Sequence, residues 1–368
     1  GRIARLLEGS SASLQGSNVD EVELEGLTVF PGFIDAHIHG SVGVDTMEAT
    51  ADDLHRVALF LAGHGVTGWL PTLVPAPASD YRKATEAIAQ LMREEHSRAA
   101  AARTLGVHYE GPFINNEQCG ALRPAYFRTF ETAAALDQLA RVDQAEAAHM
   151  MTIAPEIAGG IELTAELRRR GWIVSIGHTR SVPAVLDAAC EAGARHMTHF
   201  MNAMSPLHHR APGPVGWGLL CDDIGVDVIA DGVHVDPLAL QLLLRCKSPA
   251  RISLISDAVA PAGLGDGEYQ IWGETITVAD GRTRNARGKI AGSVSTMLDA
   301  VRLMLSLGQT ETDVARMAAA NPARLLGAAN DCGSIEEGKR ADLTVLDAEG
   351  NVRLTLVGGR IAYDASES

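Results

Sequence analysis

The stretch Pro31-Gly32-Phe33-Ile34-Asp35-Ala36-His37-Ile38-His39-Gly40 predicts both a buried strand and a metal site at its end. Residues 33–38 are apolar and β-prone, and His37 and His39 are two positions apart near their C-terminal end. Side chains alternate between the two faces of a strand, so both imidazoles point to one spot. Two converging imidazoles suit a divalent metal, most often zinc. A hydrogen-bonded polar pair beside a glycine turn is the alternative, and this motif alone leaves both open.

Length and composition limit the class of protein. With 368 residues, the chain is long enough for one large α/β barrel with an accessory part, or for two average domains. A net charge of −15 argues against nucleic acid or an anionic membrane as the main partner, although a local basic pocket could still bind a small anion. The five cysteines form no C-x-x-C pair, which favours a reducing cytoplasm without disulfides. We expect neither a signal peptide nor a membrane span.

The middle of the chain alternates strand and helix patterns. Eight strand candidates are Phe33–His37, Gly68–Leu73, Leu105–Glu110, Met150–Ala154, Ile173–Gly177, His196–Phe200, Val226–Ala230 and Ile252–Ser256. Helical patterns cover Asp52–Gly63, Ser79–Arg98, Thr132–Arg141, Leu163–Arg169, Ser181–Ala192, Asp236–Arg245, Glu311–Ala319 and Pro322–Leu326. Eight strands separated by helices predict a (β/α)8 TIM-like barrel. A doubly wound open sheet is the alternative, but the first strand is followed by no glycine-rich phosphate loop.

Both ends of the chain have strand-like patterns instead. Val19, Val22, Leu24, Leu27 and Val29 interleave with acids, while 341–346 and 352–363 form a second β-prone region with a Gly358-Gly359 turn. We therefore predict a small β-sandwich made of residues 1–30 and 330–368 around a barrel of residues 31–329. Residues 259–287 are predicted to be an insertion that carries its own hairpin.

Polar side chains occur where the predicted strands end. Glu110 ends the third strand, His178 follows the fifth, His199 ends the sixth, His234 follows the seventh and Asp257 ends the eighth. The C-terminal strand ends form the active site of such barrels. Packing alone does not explain so many histidines and acids there, since each would need its own buried partner. Together with the two first-strand histidines, these residues predict a metal centre.

The same segments resemble the amidohydrolase superfamily and, within it, the N-acetylglucosamine-6-phosphate deacetylase family. The H-x-H strand, Asn321-Pro322-Ala323 and Gly338-Lys339 are shared across the superfamily. The deacetylase-type segments are His108-Tyr109-Glu110-Gly111-Pro112-Phe113, Gly177-His178-Thr179, Thr198-His199-Phe200-Met201-Asn202-Ala203-Met204 and Asp231-Gly232-Val233-His234. The resemblance covers nearly the whole chain.

The resemblance implies a set of metal ligands. Glu110, His178 and His199 match the family's ligands, and His37 with His39 form a second pair that some members have lost. Because both His37 and His39 are kept, one or two ions per subunit are possible, with zinc favoured and Glu110 in the bridging place. Asp257 matches the catalytic acid/base and could also contact the second ion.

Other positions match substrate contacts of the family. These are Ala121, Asn202, Ala203, Arg210, His234, Ile290, Ala291 and Gly292. His234 would donate to the carbonyl oxygen as it becomes an oxyanion. Arg210 would hold the phosphate, since guanidinium pairs bidentately with phosphate oxygens, and a solvated surface arginine is the alternative. In the loop Gln118–Pro124, Leu122 stands where the family commonly has a histidine that contacts the sugar phosphate.

The implied activity is metal-dependent hydrolysis of N-acetyl-D-glucosamine 6-phosphate to D-glucosamine 6-phosphate and acetate in amino-sugar metabolism. The implied protein is a cytoplasmic homodimer that binds neither nucleic acid nor membrane. One alternative is another amidohydrolase acting on cyclic amides or nucleobases, which the absent bridging lysine disfavours. The other is a catalytically inactive barrel scaffold, which the retention of all six ligand candidates disfavours.

Overall fold

A computed structural model of the chain describes residues 1–7 and 21–367. Its strands are β1 (Thr28–Pro31), β2 (Phe33–Ile38), β3 (Gly40–Ser41), β4 (Val44–Asp45), β5 (Val66–Leu73), β6 (Arg103–Thr104), β7 (Gly106–Glu110), β8 (Ala148–Ile153), β9 (Ile173–Ile176), β10 (His196–Met197), β11 (Gly225–Ile229), β12 (Ile252–Ile255), β13 (Gly267–Ile271), β14 (Glu274–Ala279), β15 (Arg282–Asn285), β16 (Leu343–Leu346), β17 (Val352–Val357) and β18 (Arg360–Asp364). Its α-helices are α1 (Ala51–Ala62), α2 (Ala78–Glu94), α3 (Gly160–Arg169), α4 (Pro183–Ala192), α5 (Gly213–Leu220), α6 (Pro237–Cys246), α7 (Met297–Ser306), α8 (Glu311–Ala315) and α9 (Asn321–Leu325). A π-helical turn at Arg316–Ala320 joins α8 to α9.

Eight parallel strands form the barrel in the order β2-β5-β7-β8-β9-β10-β11-β12. Every residue of β2 and β5 is buried, as expected for parallel strands that are covered on both faces. The predicted (β/α)8 barrel, with a small β domain from both termini, is confirmed.

Hydrogen bonds at the seam between β12 and β2 close the barrel. The Asp257 N–H donates to the His37 carbonyl at 2.9 Å, and the His39 N–H donates to the Ala258 carbonyl at 2.8 Å. The buried Asp35 carboxylate also accepts from the Ser256 hydroxyl across this seam, at 2.5 Å. The predicted first and last strands of the barrel are thus held side by side at the end where their polar residues lie.

One predicted helix is wrong, and two helices of the structure were not predicted. The helix predicted over Thr132–Arg141 is wrong, because only a 3₁₀ turn at Ala133–Gln138 forms there and Leu136 is its one buried residue. A single buried residue gives no apolar stripe along a helix face. Helix α5, which carries three glycines, was not predicted, and neither was α7, which begins with a capping box of Thr296 and Asp299.

The termini form a four-stranded antiparallel sheet in the order β1-β16-β17-β18. Thr344 and Thr355 donate their hydroxyls to the Gly65 and Ala62 carbonyls at 2.6 and 2.8 Å, which ties this sheet to the barrel. Of the predicted N-terminal strands, Val19 lies outside the described residues, and residues 21–27 are irregular apart from a turn. The domain limits at residues 30 and 330 stay a prediction.

The insertion between β12 and α7 is larger than a hairpin. Strands β13, β14 and β15 form a three-stranded antiparallel sheet. Its β13–β14 turn contains Trp272, whose ring meets the His39 imidazole edge-on with centroids 5.2 Å apart. The insertion therefore supplies one wall of the space above the barrel. Within residues 1–7 and 21–367, no helix is both long and apolar enough to cross a membrane.

Candidate metal centre and active site

The predicted ligands converge at the C-terminal end of the barrel. His37 lies in β2 and His39 directly after it, Glu110 is the last residue of β7, and His178 and His199 each lie two residues past a strand. All five side chains are nearly inaccessible to solvent, with exposures of at most 4%. Such burial of ionisable groups is stable only when they are paired or bind a cation.

The first ligand group consists of Glu110, His178 and His199. The Glu110 Oε1 atom lies 2.9 Å from His178 Nε2 and 3.0 Å from His199 Nε2. The two imidazole Nε2 atoms are themselves 3.0 Å apart. Three ligand atoms therefore form a triangle with nearly equal sides.

The second ligand group shares Glu110 with the first. Its Oε2 atom lies 3.3 Å from His39 Nε2, and the His37 and His39 Nε2 atoms are 3.2 Å apart. The Oδ1 atom of Asp257 lies 3.3 Å from His37 Nε2 and 3.2 Å from His39 Nε2. Each group could hold a metal ion, with Glu110 between them.

The protonation pattern of His178 shows that the first group fits a cation. Its Nδ1 atom lies 2.7 Å from the Gln118 carbonyl, which can only accept, so Nδ1 carries the hydrogen. In the neutral ring Nε2 then carries the lone pair that a metal ion needs, and it lies 2.9 Å from Glu110 Oε1. Zinc ligands at about 2.0–2.1 Å from the ion place their donor atoms roughly 3–3.5 Å apart, as here. The Gln118 carbonyl is thus the kind of outer partner that orients a ligating imidazole.

The pKa values of the clustered residues also indicate a site that suits a cation. Burial alone would raise the pKa of Glu110, but its contacts with the imidazoles of His178, His199 and His39 hold the pKa well below its usual range. Burial would lower the pKa of His39, yet hydrogen bonds to Asp257 and Glu110 raise it to about 10. The pKa of His199 is likewise raised to about 9, mainly by Glu110 against burial. A metal ion would therefore compete with protons for these two imidazoles.

The backbone at three of these positions is strained. His178, His199 and Asp257 have φ values of 49°, 33° and 49°, in the left-handed region that non-glycine residues seldom adopt. Each such residue costs of order 1–3 kcal/mol and is kept only where the surroundings enforce it. The left-handed turns occur directly after β9, β10 and β12, where the three side chains meet the ligand cluster.

The cluster forms the floor of a cavity of about 440 Å³. The predicted residues that line it are His39, Glu110, Ala121, His178, His199, Asn202, Ala203, His234, Asp257, Ile290 and Gly292. His37 is fully buried beneath the floor, and Ala291 is buried between two lining residues. Arg210 is not among the described residues that line this cavity, and its Nη1 atom contacts His209 Nε2 at 2.9 Å on an exposed loop. The role predicted for Arg210 stays a prediction.

His234 is oriented by a carboxylate outside the cluster. Its Nδ1 atom lies 2.7 Å from Asp231 Oδ2, and the backbone N–H groups of Val233 and His234 donate to Asp231 Oδ1 at 2.8 Å. Because the carboxylate accepts the Nδ1 hydrogen, the Nε2 atom is left to face the cavity.

Sequence reasoning missed two cationic residues of the cavity. Arg284 and Lys289, in and after β15, line it together with Trp272. A signal for them existed in the basic run Arg282, Arg284, Arg287 and Lys289, which directly precedes the predicted Ile290–Gly292 contacts. These side chains place positive charge at the cavity without Arg210.

Leu122 makes one wall of the cavity apolar. It is buried and packs in a cluster with Val74, Ile114 and Ala154, against which Trp272 also packs. The neighbouring Arg123 turns away, with its guanidinium 4.8 Å from the centre of the Tyr126 ring. Arg123 therefore does not replace the polar contact that a histidine at position 122 would make.

The fold and the ligand cluster together define a class of protein, the hydrolases built on a barrel with a metal-binding centre at the C-terminal strand ends. The sequence profile of the amidohydrolase family matches residues 28–362, and the chain belongs to this family of hydrolytic enzymes. The resemblance seen in the sequence is thereby confirmed.

The chain is also similar to individual proteins of this family that are named as deacetylases. The chain is 37% identical over 359 residues to the N-acetylgalactosamine-6-phosphate deacetylase of Escherichia coli O157:H7, covering 97% of this chain and 94% of that protein. It is 35% identical over 344 residues to the N-acetylglucosamine-6-phosphate deacetylase of Bacillus subtilis (strain 168), covering 92% and 86%. The crystal structure of the N-acetylglucosamine-6-phosphate deacetylase of Thermotoga maritima superimposes with a TM-score of 0.85 at 33% identity, covering 95% and 92% of the two chains.

The shared position of Glu110 predicts an unequal effect of ligand substitutions. Glu110→Gln removes a charge common to both ligand groups, whereas His37→Ala removes one member of the second group only. Since loss of an outer partner alone typically costs about 10–100-fold, we expect Glu110→Gln to lower metal affinity by at least about 100-fold, and His37→Ala by less. Metal analysis after dialysis against a graded chelator measures this. Equal metal retention in Glu110→Gln and wild type would contradict the shared-ligand arrangement.

Proposed function

We propose that the chain hydrolyses N-acetyl-D-glucosamine 6-phosphate to D-glucosamine 6-phosphate and acetate. The observation that carries the proposal is the carboxylate Glu110, shared by two imidazole groups beside Asp257 on the floor of one cavity. The names of the Bacillus subtilis and Thermotoga maritima relatives support this substrate. The reaction belongs to amino-sugar catabolism.

Zinc is the proposed cofactor, with one or two ions per subunit. Glu110, His178 and His199 would hold the first ion, and His37, His39 and Glu110 the second, with Asp257 beside it. A bound divalent cation supplies a Lewis acid that polarises the amide carbonyl and lowers the pKa of water toward neutrality.

Asp257 is the proposed acid and base. An amide has a poor leaving group, so both the attacking water and the departing nitrogen need proton transfer. The Asp257 carboxylate lines the cavity, and its Oδ1 atom lies 3.3 Å from His37 Nε2 and 3.2 Å from His39 Nε2. That carboxylate would accept the proton of the attacking water and deliver it to the amide nitrogen as the C–N bond breaks.

His234 is the proposed donor to the developing oxyanion. The Asp231 carboxylate accepts a hydrogen bond from its Nδ1 atom and fixes the orientation of the ring. A hydrogen on Nε2 would be donated to the carbonyl oxygen as negative charge builds up there. The orientation of the ring is set before substrate binds, which avoids reorganisation during the reaction.

The remaining cavity residues are proposed to hold the sugar phosphate. The Asn202 Nδ2 atom is buried and has no hydrogen-bond partner among the described residues, so it is available to the substrate. Ala121, Ala203, Ile290, Ala291 and Gly292 are proposed to shape the sugar site. Lys289 and Arg284 are the cationic groups at the cavity wall and would bind the phosphate. Arg210 is kept as a further candidate for this role.

A second substrate is the C4 epimer. The Escherichia coli O157:H7 relative, at 37% identity, is named for N-acetylgalactosamine 6-phosphate. The two sugars differ only in the configuration of the C4 hydroxyl. The amide and the phosphate are the same in both, so the same residues would act on either. We further propose a cytoplasmic homodimer whose partner is the phosphorylated amino sugar, and neither nucleic acid nor membrane.

One assay tests the proposed function. Acetate release is measured from N-acetylglucosamine 6-phosphate, from its galacto epimer and from unphosphorylated N-acetylglucosamine, with the metal content determined on the same sample. We expect turnover of the phosphorylated gluco sugar, its loss on chelation and its recovery with zinc. A preference for the galacto epimer would overturn the choice of sugar, and full activity in metal-free protein would overturn the mechanism.

Asp257→Asn separates proton transfer from folding. The amide keeps the size of the side chain but cannot accept a proton, so we expect kcat to fall by about 10²–10⁴-fold. Metal content and the apparent Tm should change little, because Glu110 and four imidazoles remain. A variant with intact metal and near wild-type kcat would exclude Asp257 as the base.

Lys289→Ala tests the phosphate site. A charged hydrogen bond contributes about 1.5–3 kcal/mol, and 1.4 kcal/mol corresponds to tenfold. Because Lys289 is exposed, we expect the lower end, a rise of about tenfold in KM for the phosphorylated sugar with no effect on the unphosphorylated one. Lys83→Ala, at an exposed lysine of α2, is the matched control. The same assay on Arg210→Ala decides between the two cations, since an effect of Arg210→Ala alone would reject Lys289.

A further inference from the structure

A second cavity lies at the opposite end of the barrel. It encloses about 300 Å³, and Ile173, His196 and Gly225, the first residues of β9, β10 and β11, are part of its wall. The metal-binding cluster lies beyond the C-terminal ends of the same strands. An occupant of this cavity would therefore not compete for space with a substrate at the metal centre.

Four arginines from four separate segments line this cavity. They are Arg168 of α3, Arg195 before β10, Arg251 before β12 and Arg324 of α9. Acidic residues outnumber basic residues in the chain by 15. Many other arginines of the described residues therefore have a carboxylate within 4.0 Å, for example Arg2, Arg98, Arg103 and Arg170. None of the four arginines of the cavity has such a partner within 4.0 Å among the described residues, although Asp223 also lines the cavity.

Helix capping explains only part of this arrangement. Arg168 donates through Nη1 to the Trp172 carbonyl at 2.9 Å, and Arg195 through Nη1 to the Ala194 carbonyl at 2.7 Å. Arg324 donates through Nη1 to Asn321 Oδ1 at 3.2 Å. A guanidinium has five N–H donors, so Nε and Nη2 of all three are left without a protein acceptor in the described part of the chain. The Arg251 side chain makes no hydrogen bond there at all.

We propose that this cavity binds a small organic phosphate. Four guanidinium charges against one carboxylate leave a local charge of about +3, which suits a dianion rather than a single carboxylate. Guanidinium groups approaching from several directions match the oxygens of a tetrahedral phosphate. Ile173, Val174 and Leu325 give the cavity an apolar side that would contact the organic part of the ligand. The proposal does not depend on the substrate of the metal centre.

The test compares two charge reversals in the metal-loaded enzyme. Equilibrium dialysis with labelled inorganic phosphate, at low and constant ionic strength, counts the sites and their affinity. Arg251→Glu reverses the charge at a side chain with no hydrogen bond to lose. Arg82→Glu, at an exposed arginine of α2 without a carboxylate within 4.0 Å in the described structure, changes the net charge equally and is the control. Phosphate bound at the metal centre contributes equally to the binding measured for wild type, Arg251→Glu and Arg82→Glu, so it cancels when they are compared.

We expect Arg251→Glu to weaken one class of phosphate sites by at least about tenfold while Arg82→Glu leaves it unchanged, with acetate release unaffected in both. Equal phosphate binding in wild type and Arg251→Glu would overturn the proposal, and so would an equal loss in the control, which would show a bulk charge effect. If Arg251→Glu fails to fold, Arg324→Gln is measured against the same prediction. Binding of tricarballylate but not phosphate to wild type would reject the phosphate class in favour of a polycarboxylate.

Discussion

The Glu110 carboxylate is the interaction on which the rest of the active end depends. Its oxygens lie within 3.3 Å of the Nε2 atoms of His178, His199 and His39. The carboxylate is so deeply buried that leaving it unpaired would cost much free energy. These imidazoles come from three different strand ends, so the charge of one residue holds three parts of the barrel in register. Against the effect of burial, Glu110 and Asp257 raise the pKa of His39 and His199. A bound metal ion would take the place of protons on these imidazoles.

Closure of the barrel and assembly of the site are one structural event. The hydrogen bonds that join β12 to β2 run between Asp257 and His37, and between Ala258 and His39. The backbone that closes the sheet is thus the backbone that carries the acid/base candidate and the first two imidazoles. The left-handed φ of Asp257 belongs to the same turn, where the seam hydrogen bonds enforce it. A defect in closure would therefore reach the proposed chemistry directly.

Much of this arrangement could be predicted from local sequence, because parallel barrel strands are short apolar runs with their polar residues at the ends. The strand predicted over Leu105–Glu110 is found at Gly106–Glu110, and the H-x-H strand is found at Phe33–Ile38. The basic run that contains Arg284 and Lys289 was a local signal, but it could not place these cations at the cavity. Whether Lys289 or Arg210 faces the cavity depends on how the three-stranded insertion folds over the barrel, which is a long-range property. At Ala133–Gln138 a helix was predicted but only a 3₁₀ turn forms, because the helix-forming residues there have no apolar face to bury.

The distribution of positive charge follows from the strong acidity of the chain. With 31 basic against 46 acidic residues, most guanidinium groups would be expected to find a carboxylate on the surface. Among the described residues, five cations without a carboxylate within 4.0 Å lie at the two ends of the barrel, Lys289 above the ligand cluster and four arginines below the strand starts. Since a negative overall field disfavours anions at long range, an anionic ligand would be retained only where unpaired cations are concentrated. The two cavities are such places, and their separation by the length of the barrel strands allows both to be filled in one molecule.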